Sequence, residues 1–206
     1  MEEKAVLPRK EREKIARKEE IQKAARAVFA EKGFEAATLE EIAERAELAK
    51  GTIYGYFENK ETLFFSLIEE ILEGQARILR EVHEKDMDAT EKLSEVIRRY
   101  VFYLSERKDL FRILMGQSGG LTGNIRDEIR QKYFQIHRHQ LASLVAILQE
   151  GIQKSELRDL PAQAMAYVIV GLIHGAMIPL VITQDMRDEE QVIRTITEVL
   201  LNGVRK

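Results

Sequence analysis

The sequence predicts an all-α protein. Only 3 prolines and no tryptophan occur in 206 residues. Apolar residues recur every three or four positions over long stretches, the spacing of one helix face. At 45% hydrophobic and 33% charged, the chain can bury a core and is not disordered by composition. Its length suits one large domain or two small ones. A net charge of −3 and a pI of about 5.9 argue against a protein coated in nucleic acid, yet leave room for a local basic patch that binds DNA. The absence of cysteine excludes a disulfide framework, a thiolate zinc site and a cysteine nucleophile. It fits a cytoplasmic protein.

Met1–Lys14 reads as a polar extension containing Pro8, with Lys4, Arg9, Lys10, Arg12 and Lys14 among its charges. It lacks the apolar segment of a signal peptide. It is either a solvated tail or an arm that touches phosphate or the minor groove. A first helix follows over about Arg12 to Lys32, with Ile21, Ala24, Ala25, Val28 and Phe29 as its apolar stripe. Gly33 stands where a helix-ending glycine belongs, and Phe34 packs back under the next segment.

Thr38 and Glu41 have the spacing of a capping box. Leu39, Ile42, Ala43 and Ala46 then share one helix face, and Glu41 and Arg45 have the spacing of a surface pair. Glu47–Ala49 is long enough only for a turn. A second short helix runs from about Lys50 to Phe57, with Ile53 and Phe57 inward. Its other face holds Gly51, Thr52 and Gly55, flanked by Tyr54 and Tyr56. A helix with one buried stripe and an outer face of small, polar and basic groups suits a DNA major groove.

The segment Ile21–Phe64 resembles the DNA-binding domain of the tetracycline-repressor (TetR) family. Ala24, Ala25, Phe29, Gly33, Phe34, Thr38, Glu41–Ala43 and Ala46 carry the first part of the match. Lys50–Tyr54, Tyr56, Phe57, Lys60, Glu61 and Leu63–Phe64 carry the second. The resemblance implies a DNA face of Thr38, Lys50, Gly51, Thr52, Tyr54, Gly55, Tyr56 and Lys60. In it, Tyr54, Tyr56 and Lys60 meet phosphate, while Lys50 and Thr52 read bases. Two positions depart from the family pattern. Glu47 stands where glycine is usual in the turn, and Ala49 stands where a hydroxyl residue is usual.

Asn59 is placed to cap a helix starting at Lys60, whose inner face is Leu63, Phe64, Leu67, Ile68, Ile71 and Leu72, continuing through Ile78, Leu79 and Val82. The expected domain boundary falls inside this helix: residues 1–62 form the DNA-binding part and 63–206 a helical part for effector binding and dimerisation. Asp88 and Glu91 suggest a second capping box, before a helix carrying Leu93, Val96, Ile97, Tyr100, Val101 and Leu104. Asp109–Gln117 reads as a short helix, and Gly119, Gly120 and Gly123 mark a loop. Asn124–Glu156 reads as a long helix. Asp159 and Pro161 start another over Leu160–Thr183, and Asp188–Val204 closes the chain.

Ala164–Ile182 is apolar nearly all round and opens two readings. It is either a membrane span, with Gly171 and Gly175 as a close-packing pair, or a buried helix of a soluble dimer. His174 and Pro179 interrupt it, and no basic cluster marks one flank, so the dimer reading is preferred. In the resembled family the last two helices form a four-helix dimer interface. This implies contacts by Gly171, Gly175, Ala176, Val192, Ile196 and Val199.

His83, His137, His139 and His174 do not have metal-chelating spacing, no paired carboxylates or serine triad can be assembled, and neither metal, cofactor nor catalysis is expected. Phe102, Tyr103, Phe111, Met115, Tyr133, Phe134, Tyr167 and Met177 are more aromatic and flexible than a tight aliphatic core requires. They would line an apolar effector pocket with His137 or His174 as polar handles, suited to an acyl chain or an aromatic compound. The expected function is therefore a ligand-responsive homodimeric repressor of a palindromic DNA operator. The rival is a membrane-anchored helical protein spanning at residues 164–182.

Overall fold

The computed structural model describes residues 8–109, 141–183 and 189–204. Among these the regular elements are helices: α1 (Arg9–Ala36), α2 (Leu39–Arg45), α3 (Lys50–Tyr54), α4 (Lys60–His83), α5 (Ala89–Ser105), α6 (Ala142–Gln153), α7 (Ala162–Thr183) and α8 (Glu189–Val204). The chain divides into two compact units, residues 1–68 and 69–206. The division falls inside α4, between Ile68 and Glu69; the sequence reading puts a boundary at 62/63.

In the first unit α1 starts earlier and reaches further than expected. Its helical conformation breaks at Gly33, with φ 81° and ψ 168°, a backbone state that glycine adopts without Cβ strain. The break turns Phe34 inward. Phe29, Phe34 and Phe64 form a cluster with centroids 5.8, 5.4 and 4.7 Å apart, the offset and edge contacts that aromatic rings prefer. Ile21, Ile42, Ile53 and Leu63 are fully buried around it. Gln22 Nε2 donates to Ser66 Oγ at 3.0 Å, so these two buried polar side chains satisfy each other.

α4 opens on Asn59, whose Oδ1 accepts the Thr62 amide at 2.8 Å. α5 opens on the expected Asp88–Glu91 capping box. In the second unit α5 packs against α6, α7 and α8. Two close approaches need glycine. A Cβ on Gly74 would lie 2.0 Å from the Tyr103 hydroxyl, and one on Gly151 would lie 2.5 Å from Ala89 Cβ.

The second short helix ends by Tyr54 rather than Phe57. Gly55 follows it, the poorest helix former after proline, and the chain continues in looser turns with Phe57 N still bonded to Ile53 O at 2.9 Å. Of the expected helix 124–156 only α6 is described. Residues 110–117 of the expected short helix, and the loop at Gly119–Gly123, lie outside the described residues.

Candidate functional site

The helix-turn-helix is assembled by local chemistry. Thr38 Oγ1 accepts the Glu41 amide and Glu41 Oε2 accepts the Thr38 amide, both at 3.2 Å, which completes the capping box of α2. The turn out of α2 carries the paired hydrogen bonds of a Schellman motif: Leu48 N to Ala43 O at 2.9 Å and Glu47 N to Glu44 O at 3.1 Å. That motif needs a left-handed residue, and Glu47 supplies it with φ 55°, where a side chain is strained. Ala49 then stands at the N-cap of α3 without a side-chain hydrogen bond, so one amide-capping oxygen is missing.

Gly51, Tyr54 and Gly55 are exposed on the outer side of α3, with Tyr54 at 48%, while Thr52 and Tyr56 are half-buried. A Cβ at Gly51 would meet nothing within 4 Å, so the face is open to close approach. Ile53 and Phe57 are buried, as the spacing predicts.

Lys50, Arg45 and Lys32 are each held by a carboxylate. Lys50 is paired with Glu40 and lies 5.8 Å from the Tyr54 ring centre. Arg45 makes two bonds to Glu31, at 2.8 and 2.7 Å, and Lys32 bonds Glu41 at 2.5 Å. Arg45 thus reaches back to α1 instead of along α2 to Glu41. The donors hold Glu31, Glu40 and Glu41 below the usual carboxylate range, chiefly through the hydrogen bonds from Arg45, Lys50 and Lys32 respectively. Exposed pairs of this kind are weak, so a phosphate can compete for the cation.

Lys60 departs from its expected place on the DNA face. Its ammonium donates to three main-chain carbonyls, Phe34 O at 2.7 Å, Glu35 O at 3.0 Å and Ala37 O at 3.0 Å, and lies 4.5 Å from the Phe34 ring centre. These carbonyls follow the break at Gly33, where no helix supplies them with amides. All three donors of the ammonium are occupied, so Lys60 ties the end of α1 to the start of α4.

In the second unit His174 and Gln75 are buried and share a 3.1 Å hydrogen bond between α7 and α4. Tyr100 is fully buried and donates to Gln75 O at 3.2 Å; burial pushes its phenol well above the ordinary tyrosine range. Met177 is fully buried, and Ile173, one helical turn before it, is also at 0% exposure. A small polar network that includes His174 therefore sits within an apolar core. Gln75 was missed by sequence reasoning, although a polar residue on the stripe Ile71–Leu72–Ile78–Leu79 was a signal. Tyr103 is buried, its hydroxyl bonded to Glu70 O at 3.0 Å, and Phe102 is half-buried. Phe111, Met115, Tyr133, Phe134 and His137 lie outside the described residues.

Tyr167 does not join this core. It is 40% exposed on the same side of α7 as Val168 (66%) and Ile178 (39%), with Gly171 and Gly175 also exposed and open beyond their Cα atoms. Its place on the outer face follows from helical spacing: Ile173, His174 and Met177 take the inner face. Val199 on α8 is likewise exposed at 57%, and Ala176 and Val192 are half-buried. Ile196, expected at the dimer interface, is 2% exposed and belongs to the core of the subunit. No cluster that could hold a metal ion is found among the described residues.

Residues 21–67 match the family model of bacterial regulatory proteins of the tetR family, and residues 86–177 match a tetracyclin repressor-like C-terminal domain. The chain is 32% identical to the fatty acid metabolism regulator protein of Bacillus subtilis over 86% of its own length and 90% of that protein. Among solved structures it is similar to the transcriptional regulator FadR of Bacillus subtilis in complex with stearoyl-CoA, with a TM-score of 0.78, 31% identity and coverage of 90% and 98% of the two chains. It is also similar to the fatty acid degradation regulator FadR of Bacillus halodurans, with a TM-score of 0.81, 26% identity and coverage of 91% and 95%. These matches span both units and give no support to the membrane-anchored alternative. α7 is long and apolar enough to cross a bilayer, but its inner face is already committed to α5, α6 and α8.

Proposed function

Because the chain belongs to the TetR family and is a ligand-responsive DNA-binding transcriptional regulator, we propose that it is a homodimeric repressor released from a palindromic operator by a long-chain acyl-CoA. The single observation that carries the choice of ligand is the similarity to a regulator bound to stearoyl-CoA, which extends over nearly the whole of both chains. The apolar core around Met177 and Ile173, with the Gln75–His174 pair as its polar feature, suits an acyl chain that ends in one polar linkage.

DNA contact is assigned to Thr38, Lys50, Gly51, Thr52, Tyr54, Gly55 and Tyr56. Two such faces must reach successive major grooves, about 34–36 Å apart, which requires a two-fold dimer. The exposed apolar stripe of α7, with Val199 of α8, is the surface assigned to that contact. α4 supplies Leu63 and Phe64 to the core of the first unit and Gln75 to the second. Filling the core beside Gln75 displaces α4, and that displacement reaches the helix-turn-helix.

The test is reciprocal titration. Operator duplex is selected from a random pool, and stearoyl-CoA affinity is measured with and without it. Stearoyl-CoA should dissociate the duplex, and the duplex should weaken stearoyl-CoA binding by the same factor. Equal ligand affinity in both cases would refute release by acyl-CoA while leaving DNA binding intact.

A further inference from the structure

Of the residues assigned to DNA contact, Lys50 alone carries a charge, and a carboxylate holds it. Lys50 opens α3, and its ammonium is bonded to Glu40 in the first turn of α2. The Tyr54 ring, one turn further along α3, lies 5.8 Å from the same ammonium. Both members of the pair are exposed. The bond from Lys50 is the chief reason that Glu40 lies below the ordinary carboxylate range, so the carboxylate is charged at neutral pH. A negative charge beside a DNA-binding face repels phosphate. The capping of α2 does not need it there, because Thr38 and Glu41 make the box.

We infer that Glu40 is a positioning residue that raises the operator specificity of Lys50. An ammonium has three donors. Those of Lys60 are all taken by carbonyls, whereas Lys50, held by Glu40, keeps donors for a second acceptor. On random DNA, a Lys50 that leaves Glu40 for a phosphate trades one charge-assisted bond for another. It also strands the carboxylate among phosphates, so the exchange gains little. On an operator that places a guanine against α3, the tethered ammonium keeps Glu40 and turns its other donors to O6 and N7. Glu40 thus weakens binding to the many wrong sites more than to the right one, and specificity is that difference. The inference rests on the placement of Lys50 on the DNA face in the reading above and is independent of the effector.

The test puts the full-length protein on two duplexes, the operator selected from a random pool and a random sequence, and follows fluorescence anisotropy across a salt series. Glu40→Gln keeps a good helix former at an exposed position, and urea unfolding checks that the fold is kept. It should tighten binding to the random duplex roughly threefold per recognition face, the size of an exposed ion pair. The salt slope there should steepen by about one per face, as Lys50 takes a phosphate. The operator-to-random affinity ratio should fall. In a Lys50→Gln background the same substitution should leave ratio and slope unchanged. Equal tightening on both duplexes would overturn the inference, because Glu40 would then act only as bulk charge. So would random-duplex affinity that is unchanged or weaker, or a fall in the ratio that survives in the Lys50→Gln background. Lys50→Gln with wild-type operator affinity would remove Lys50 from the DNA face, and this inference with it. Lys50→Gln that weakens operator binding, beside any of the other failures, would strike the role of Glu40 alone.

Discussion

Glu47→Gly is the substitution whose outcome the turn of the helix-turn-helix determines most directly. Glu47 holds φ 55° because the Schellman motif closing α2 leaves it no other choice. A side chain in that conformation costs about 1–2 kcal/mol. Glycine removes the strain but loses more conformational freedom on folding, about 0.5–1 kcal/mol. The net gain is about 0.5–1 kcal/mol, a rise of roughly 2–4 °C in Tm for a chain of this size at the upper figure. The carboxylate also stands in the turn before the proposed recognition helix, within a Debye length of about 8 Å of any phosphate docked there. Its removal should strengthen DNA binding at low salt. Glu47→Gln separates the two effects, because it removes the charge and keeps the strain. Urea unfolding and fluorescence anisotropy on a labelled duplex should show Glu47→Gly more stable than wild type and Glu47→Gln no more stable, with both binding DNA more tightly. Equal stability of Glu47→Gly and Glu47→Gln would refute the strain argument.

A Cβ at Gly175 would meet nothing within 4 Å inside its own subunit, so Gly175→Leu should preserve the fold and yield monomer in sedimentation; a persistent dimer would place the interface elsewhere. Lys60→Ala removes an ammonium bonded to three carbonyls and should destabilise the protein by about 2 kcal/mol in urea unfolding. The salt slope of its DNA binding should stay unchanged, and a shallower slope would return Lys60 to the phosphate contacts. Glu150 is held below its ordinary 4.5, first by the hydrogen bond from His83, while Lys92 lies 3.7 Å away. A depressed carboxylate stabilises the fold above its unfolded pKa, and that contribution fades as pH falls through the folded value. The unfolding midpoint should therefore drop as pH falls from about 5 into the range below 4.5, and Glu150→Gln should flatten part of that drop.

The features legible in the sequence are those fixed within one or two helical turns. The Thr38–Glu41 and Asp88–Glu91 boxes form because three residues separate a cap from its acid. Gly33 ends the regular run of α1 because only glycine takes φ 81° freely. The stripes of α1, α4 and α5 repeat at the helical period, and the family resemblance over Ile21–Phe64 rests on these same local signals. Tertiary packing decided the rest. Lys60 is spoken for by carbonyls 23 to 26 residues away, brought within reach only when α4 folds back on the end of α1. Gln75 and His174 meet across 99 residues, and no spacing rule pairs them. Ile196 and Val199 share α8, and Met177 and Tyr167 share α7. Their opposite fates, core or exposed face, depend on which side of α7 and α8 the other helices cover. Hydrophobicity supplies the drive to bury both sides of such a helix, but only the arrangement of its neighbours determines which side is left for a partner.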